Sequence, residues 1–242
     1  MNSYSQFKYR SINKNFFDAL IKGYIFCANA KNLNDPFDCQ IDIISSLKNA
    51  INKTTDQNKS YLQYLLSEKS YIENLQHLAT TTGICSFSES LLNSVMWSHY
   101  ADEHKGVCLL YDFPIEFIDV QNTIIGIIEM NYNNNRLTEW FIENASTLPD
   151  LNAEDTAIEI SKVLFSTKGK DWKYEGEIRI MSLKEGEIKI DKSYLTQVCF
   201  GLHTPERDRD LVQKIIIDSG YKVDFCEIVK NESDFGLMVK DL

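Results

Sequence analysis

Apolar positions along this chain fall into two spacings. Short runs at Phe7-Lys8-Tyr9-Arg10, Ile25 to Ala28, Gly83 to Phe87 and Val107 to Tyr111 have the length and the flanking turn residues of strands. Ile124 to Met130, Ile178 to Met181, Ile188 to Ile190, Val198 to Phe200 and Tyr221 to Glu227 continue that series. Elsewhere the spacing is helical. Residues 42–80, with Tyr61, Leu62, Leu65 and Leu66 on one face, predict two or three helices, and residues 136–166 predict helices joined by Thr147-Leu148-Pro149-Asp150.

Turn and cap residues punctuate these segments. Asn13 is expected to cap a helix over Phe16 to Lys22 that Gly23 terminates. Ser88 or Ser90 is expected to cap a helix through Val95, Met96, Trp97 and Tyr100, and Thr204-Pro205 to open one that Gly220 closes. Asn34-Asp35-Pro36-Phe37-Asp38 reads as a turn, because proline presets φ and both Asn and Asp favour local backbone bonds. No repeat or linker interrupts the series. The expectation is one α+β domain over 1–242, a twisted mixed sheet with helical insertions at about 42–80 and 136–166.

Composition narrows the function classes. The 242 residues are 43% hydrophobic and 25% charged, with a formal net charge of -10. That balance argues against non-specific binding to nucleic acid or to an anionic membrane, since both rest on a positive field. No apolar run approaches the roughly 18 residues of a membrane span, and Met1-Asn2-Ser3-Tyr4-Ser5-Gln6 lacks a signal-peptide pattern. A cytoplasmic protein is expected. The cysteines Cys27, Cys39, Cys85, Cys108, Cys199 and Cys226 form no Cys-x-x-Cys pair and sit largely in apolar runs. They read as buried thiols of raised pKa and low reactivity.

The densest chemistry lies at Tyr174-Glu175-Gly176-Glu177-Ile178-Arg179, just after the basic and aromatic run Lys168-Gly169-Lys170-Asp171-Trp172-Lys173. On a strand, Glu175 and Glu177 would project to one face and repel unless a cation or a ligand hydroxyl lay between them. The plain alternative is an exposed edge whose glutamates pair with Lys170, Lys173 and Arg179. His99 and His104 do not share a helical face, so no metal site is expected, and no phosphate-loop or Rossmann glycine pattern occurs.

Tyr9-Arg10-Ser11, Asn34-Asp35-Pro36-Phe37-Asp38, Cys85-Ser86-Phe87-Ser88, Met96-Trp97-Ser98-His99-Tyr100-Ala101, Gly106-Val107-Cys108-Leu109 and Trp172 to Arg179 occur in this order. As a set they resemble the bacterial family of unknown function DUF2971. More distantly, Arg10, then Ser86-Phe87-Ser88, then Glu175-Gly176-Glu177 resembles the Arg, Ser-x-Ser, Glu-x-Glu pattern of one branch of the ADP-ribosyltransferases. That resemblance implies an ADP-ribosyltransferase-like sheet, with NAD as substrate and a macromolecular acceptor. Glu177 would stabilise the oxocarbenium-like ribose, and Glu175 would activate the nucleophile. Arg10 would hold the pyrophosphate, with Ser86 and Ser88 at ribose or strand, Tyr9, Asn34 and Tyr100 lining the NAD cleft, and Trp172 meeting the acceptor. Trp97 and Tyr100 also fit plain core packing, and Ser88 a plain cap. Two other classes stay open: a nucleotide-binding or protein-interaction module without turnover, and a hydrolase or nuclease using Glu175, Glu177 and Asp35 with a divalent cation.

Overall fold

The computed structural model describes residues 3–117 and 123–242. In chain order the elements are β1 (Ser3–Arg10), α1 (Lys14–Lys22), β2 (Tyr24–Asn29), α2 (Ile43–Lys53), α3 (Asp56–Ser67), α4 (Lys69–Thr81), β3 (Gly83–Ser88), α5 (Ser94–Tyr100), β4 (Val107–Pro114) and β5 (Ile124–Glu129). They continue with β6 (Asn131–Tyr132), α6 (Arg136–Asn144), α7 (Ala153–Ser166), β7 (Thr167–Lys168), β8 (Glu177–Ser182), β9 (Gly186–Lys189), β10 (Leu195–Phe200), α8 (Glu206–Asp218), β11 (Asp224–Lys230) and β12 (Leu237–Asp241). The fold is α+β. No helix among the described residues is long and apolar enough to cross a membrane.

The local chemistry sets several boundaries. Asn13 accepts the Phe16 amide at 3.0 Å, and Gly23 takes the left-handed φ of 67° that ends α1. The serine caps are corrected. Asn93 caps α5 by accepting from Val95 and Met96, because the Ser88 hydroxyl is committed to the Glu175 carbonyl at 2.6 Å. Pro205, not Thr204, precedes α8, and the Thr204 hydroxyl donates to the Gly106 carbonyl at 2.8 Å.

The sheet is mixed and divides at one seam. β12, β11, β10, β4 and β1 run side by side in that order, with β4 between β10 and β1, and β10 and β11 are parallel. β1 pairs with β4 over its whole length, Ser3↔Pro114 through Arg10↔Val107. β3 pairs with β8 from Gly83↔Ser182 to Ser88↔Glu177, with β5 beyond β8 and with β2 and β9 on its other side. Between β1 and β3 the ladder is a single pair, Phe7↔Ser88. The strands diverge from that point, and a cleft opens between them.

Two cores flank this sheet. Phe16 and Leu20 of α1 and Val212 and Ile216 of α8 pack with Phe87, Leu109, Phe113 and Phe200 of the strands. The two expected helical insertions are one body. α2, α3 and α4 share a second core with α6 and α7, through Leu47, Leu62, Ile72, Phe141 and Leu164. The end of that helical body, at Phe165, delivers the chain into β7 and the site.

Candidate functional site

The two glutamates converge, by a different route from the one expected. Glu175 ends a 3-10 turn, Lys170–Glu175, and only Glu177 lies on β8. Gly176 joins them with φ of 48°, a conformation that a residue with a Cβ adopts at a cost. Its carbonyl accepts the Glu89 amide at 2.9 Å, which pins the turn against the end of β3. Strand alternation therefore plays no part in bringing the carboxylates together.

The cation between them is Lys168. It hydrogen-bonds Glu175 Oε2 and reaches Glu177 Oε2 at 2.8 Å. The short pairing of β7 with β6, Tyr132↔Lys168, holds the lysine backbone, and the Tyr132 hydroxyl accepts the Glu177 amide at 2.7 Å. Arg179, two residues along β8 and wholly buried, donates from Nε to Glu177 Oε1 at 2.8 Å and from Nη1 to the Phe165 carbonyl at 3.0 Å. Its Nη2 pairs with Asp38 and reaches Glu177 Oε2 at 3.2 Å. Asp38 comes from the Asn34 to Asp38 turn, where Asp35 Oδ1 accepts the Phe37 amide at 2.9 Å. Of the alternative partners expected for the glutamates, Arg179 is one; Lys170 and Lys173 are not.

Asp38, Glu175 and Glu177 face Lys168 and Arg179, a buried group of three carboxylates and two cations. Their environments drive the two glutamates apart. Burial alone would raise Glu177, but Arg179 and then Lys168 outweigh it and hold the carboxyl down at about 2. Burial prevails at Glu175, whose carboxyl is raised despite Lys168 and the Tyr100 hydroxyl. Tyr100 donates to Glu175 Oε1 at 2.5 Å and accepts from Asn34 Nδ2 at 3.2 Å. Burial, then Glu175, pushes the Tyr100 hydroxyl up. Tyr100 thus belongs to the site, while Trp97, fully buried against Tyr9 with ring centroids 5.2 Å apart, is core.

The cleft at the seam has two lobes. The first, about 300 Å³, is lined by Lys168, Glu175 and Glu177 with Asn34, Tyr100, Ser86 and Ser88 among its walls. The second, about 400 Å³, holds Arg10, Tyr24 and Glu187. Lys8, Leu33 and Ser86 belong to both lobes. Arg10 makes no ion pair or side-chain hydrogen bond among the described residues. Ser88 and Tyr9 both line the first lobe with their hydroxyls already engaged. Ser88 supports the Glu175 backbone, and Tyr9 gives its hydroxyl to the Ser90 carbonyl at 2.7 Å. Trp172 is outside the cleft. It borders a neighbouring cavity of about 640 Å³ with Phe37, and Lys168 and Asp38 form a wall common to that cavity and the first lobe.

Sequence reasoning missed Lys168 and Asp38 as site residues and Lys8 as the residue between the lobes. Lys168 did carry a signal: it follows a buried helix end and precedes two carboxylates at seven and nine residues. The divalent-cation alternative loses its geometry. Lys168 and Arg179 occupy the carboxylate oxygens, and among the described residues no group of three His, Cys, Asp or Glu could hold a metal ion.

Residues 96–180 match the family model described as protein of unknown function, DUF2971. Over these residues the chain is similar to that family. The matched DUF2971 segment contains Tyr100, Lys168, Trp172, Glu175, Glu177 and Arg179, whereas Arg10, Asn34, Asp38, Ser86 and Ser88 lie before it. Most of the charge cluster thus sits within the DUF2971 match, and that family carries no assigned activity. No curated protein and no solved structure matches the chain.

Proposed function

We propose that the cleft binds an NAD-type dinucleotide and that the protein transfers its ADP-ribosyl group to a macromolecular acceptor. The observation that carries this reading is the polarity of the cleft. Buried carboxylates close one end, and Arg10, unpaired among the described residues, stands at the other. A guanidinium fork suits a diphosphate, and lobes of this size suit a nucleotide.

The roles follow from the geometry. Glu177, kept ionised by Arg179 and Lys168, is a fixed negative charge for a ribosyl carbon as its bond to nicotinamide breaks. The electron pair of that bond leaves with nicotinamide. Glu175, with a raised pKa and the Tyr100 hydroxyl against it, takes the proton of the acceptor as the new bond to the ribose carbon forms. The acceptor would approach through the cavity of Trp172 and Phe37, which shares Lys168 and Asp38 with the cleft.

A second reading, nucleotide binding without turnover, is favoured by one observation: Lys168 already fills the space between the two carboxylates. Calorimetry with NAD, followed by nicotinamide release and label transfer in cell extract, separates the two. Binding with release supports transfer, and Glu175→Gln should then lower label transfer more than slow NAD hydrolysis. Binding without release supports the second reading. Absence of binding at millimolar NAD sinks both.

A further inference from the structure

The seam between β1 and β3 also adjoins a buried thiol that contacts a lysine, a feature the sequence reading did not foresee. Cys27 and Cys85 lie on neighbouring antiparallel strands. Ala28 pairs with Ile84, and Cys27 and Cys85 are the next residues along the two strands from that pair. Residues directly opposite on antiparallel strands have Cα separations that a disulfide spans. Lys8 Nζ donates to the Cys85 sulfur at 3.2 Å. The Lys8 ammonium also donates to the Ser86 carbonyl at 2.8 Å and sits over the Phe87 ring, 4.8 Å from its centroid.

Burial normally makes a thiol inert, and Cys85 is 1% exposed. Two things set it apart. Its neighbour Cys27, with Lys8 adding to the effect, outweighs burial and lowers the Cys85 thiol below its usual value, while the Cys27 thiol is pushed up. The seam also brings the sulfur within one side chain of the cleft. β1 and β3 share no backbone pairing besides Phe7↔Ser88, and Lys8, which borders both cleft lobes, is the side chain that touches the sulfur.

Cys199 and Cys226 form an internal control. They are register partners on β10 and β11, both are buried, and the Cys226 thiol is likewise lowered by its neighbour Cys199, so the lysine is what distinguishes the first pair. The charged groups acting on this second pair are Asp241 and Glu227, which disfavour a thiolate, and among the described residues no lysine hydrogen-bonds either sulfur.

We propose that Cys27 and Cys85 are a peroxide-reactive pair, with Cys85 the attacking thiolate, Cys27 the resolving thiol and Lys8 the cation that activates Cys85. The Cys85 thiolate attacks one peroxide oxygen, the O–O bond breaks, and the departing hydroxide takes a proton to become water. Cys85 is then a sulfenic acid, two electrons having passed from sulfur to the peroxide. Cys27 sulfur attacks the Cys85 sulfur, and the sulfenic oxygen leaves with the Cys27 proton as a second water. The net change is two thiols and one hydrogen peroxide to one disulfide and two waters. This assignment does not depend on the NAD reading.

The test is hydrogen peroxide treatment of the folded full-length chain, read by intact mass and by peptide mapping at short times. The expected result is loss of two hydrogens per chain with a Cys27–Cys85 linked peptide, reversed by dithiothreitol, while Cys199 and Cys226 stay reduced. Lys8→Met should slow the linkage on the order of tenfold at neutral pH, by raising the Cys85 thiol. If Lys8→Met does not fold, the ratio of the two linked peptides in the wild-type chain decides by itself. Persistence of all thiols, a Cys199–Cys226 link at the same rate, or an unchanged rate in folded Lys8→Met would overturn the proposal.

Discussion

The two ends of the cleft hold opposite charge by opposite means. At the acid end, Glu175 and Glu177 are buried, and each is fixed by named partners: Lys168 and Tyr100 for one, Lys168 and Arg179 for the other. At the basic end, Arg10 stands half-buried without a partner among the described residues, and Lys8 leans on a carbonyl and a sulfur. A buried charge must be paired within the protein or it unfolds the site, so the acid end is complete before any ligand arrives. The basic end keeps its charge partly exposed and unpaired. The structural role of charge is therefore concentrated at Arg179, and Arg10 contributes little to folding.

Arg179→Met breaks this comparison most severely. It leaves Asp38 and Glu177 buried without their guanidinium and should cost about 3–5 kcal/mol, read by urea unfolding. A loss of less than about 1 kcal/mol would place the cluster among ordinary surface pairs.

Glu177→Gln is next, and its effect depends on pH. Because the folded-state value is depressed, the charge contributes stability that is present above the unfolded value near 4.3 and is lost as pH falls through about 2. The variant should therefore be destabilised by about 2–3 kcal/mol at neutral pH and converge on the wild type near pH 2. A pH-independent difference would show that shape, not charge, is what Glu177 supplies.

Glu175→Gln sharpens the contrast. A raised carboxyl has the opposite sign: its contribution is lost as pH rises through the folded value, so removing the charge relieves a cost at neutral pH. Its stability should change by less than that of Glu177→Gln, and at neutral pH it should fall no further than about 1 kcal/mol. Equal losses for the two variants in parallel melts would contradict the separation of their environments.

Arg10→Ala should have the smallest effect on folding, within about 0.5 kcal/mol. Under the proposed function it should nevertheless weaken NAD binding by roughly tenfold or more, measured by calorimetry, through loss of a charge-assisted phosphate contact. Unchanged affinity would remove Arg10 from the binding surface.

Much of the fold is legible from periodicity because each element buries a regular face. The 83–87 and 107–111 runs are strands, Asn13 and Gly23 bound their helix, and 42–80 is helical as the spacing of Tyr61, Leu62, Leu65 and Leu66 requires. What periodicity cannot give is where a polar group spends its bonds. Ser88 has the composition of a cap, but a carbonyl 87 residues away holds it, and Asn93 caps instead. The convergence of Glu175 and Glu177 is visible in the sequence, yet its cause is the left-handed Gly176 and its counter-ion is Lys168, both facts of tertiary placement. Likewise, nothing local shows that the two helical stretches share one core, since each presents the same apolar stripe whether or not the other exists.

The single pair Phe7↔Ser88 has a mechanical consequence. A sheet resists deformation because each strand is bonded to its neighbours along its whole length, and here that continuity is interrupted along one line. Across it the halves are joined by the Lys8 ammonium, whose bonds to a carbonyl and a sulfur can be exchanged without breaking any ladder, and by the core that both share. The width of the cleft is therefore set by side chains and their packing and not by a backbone ladder.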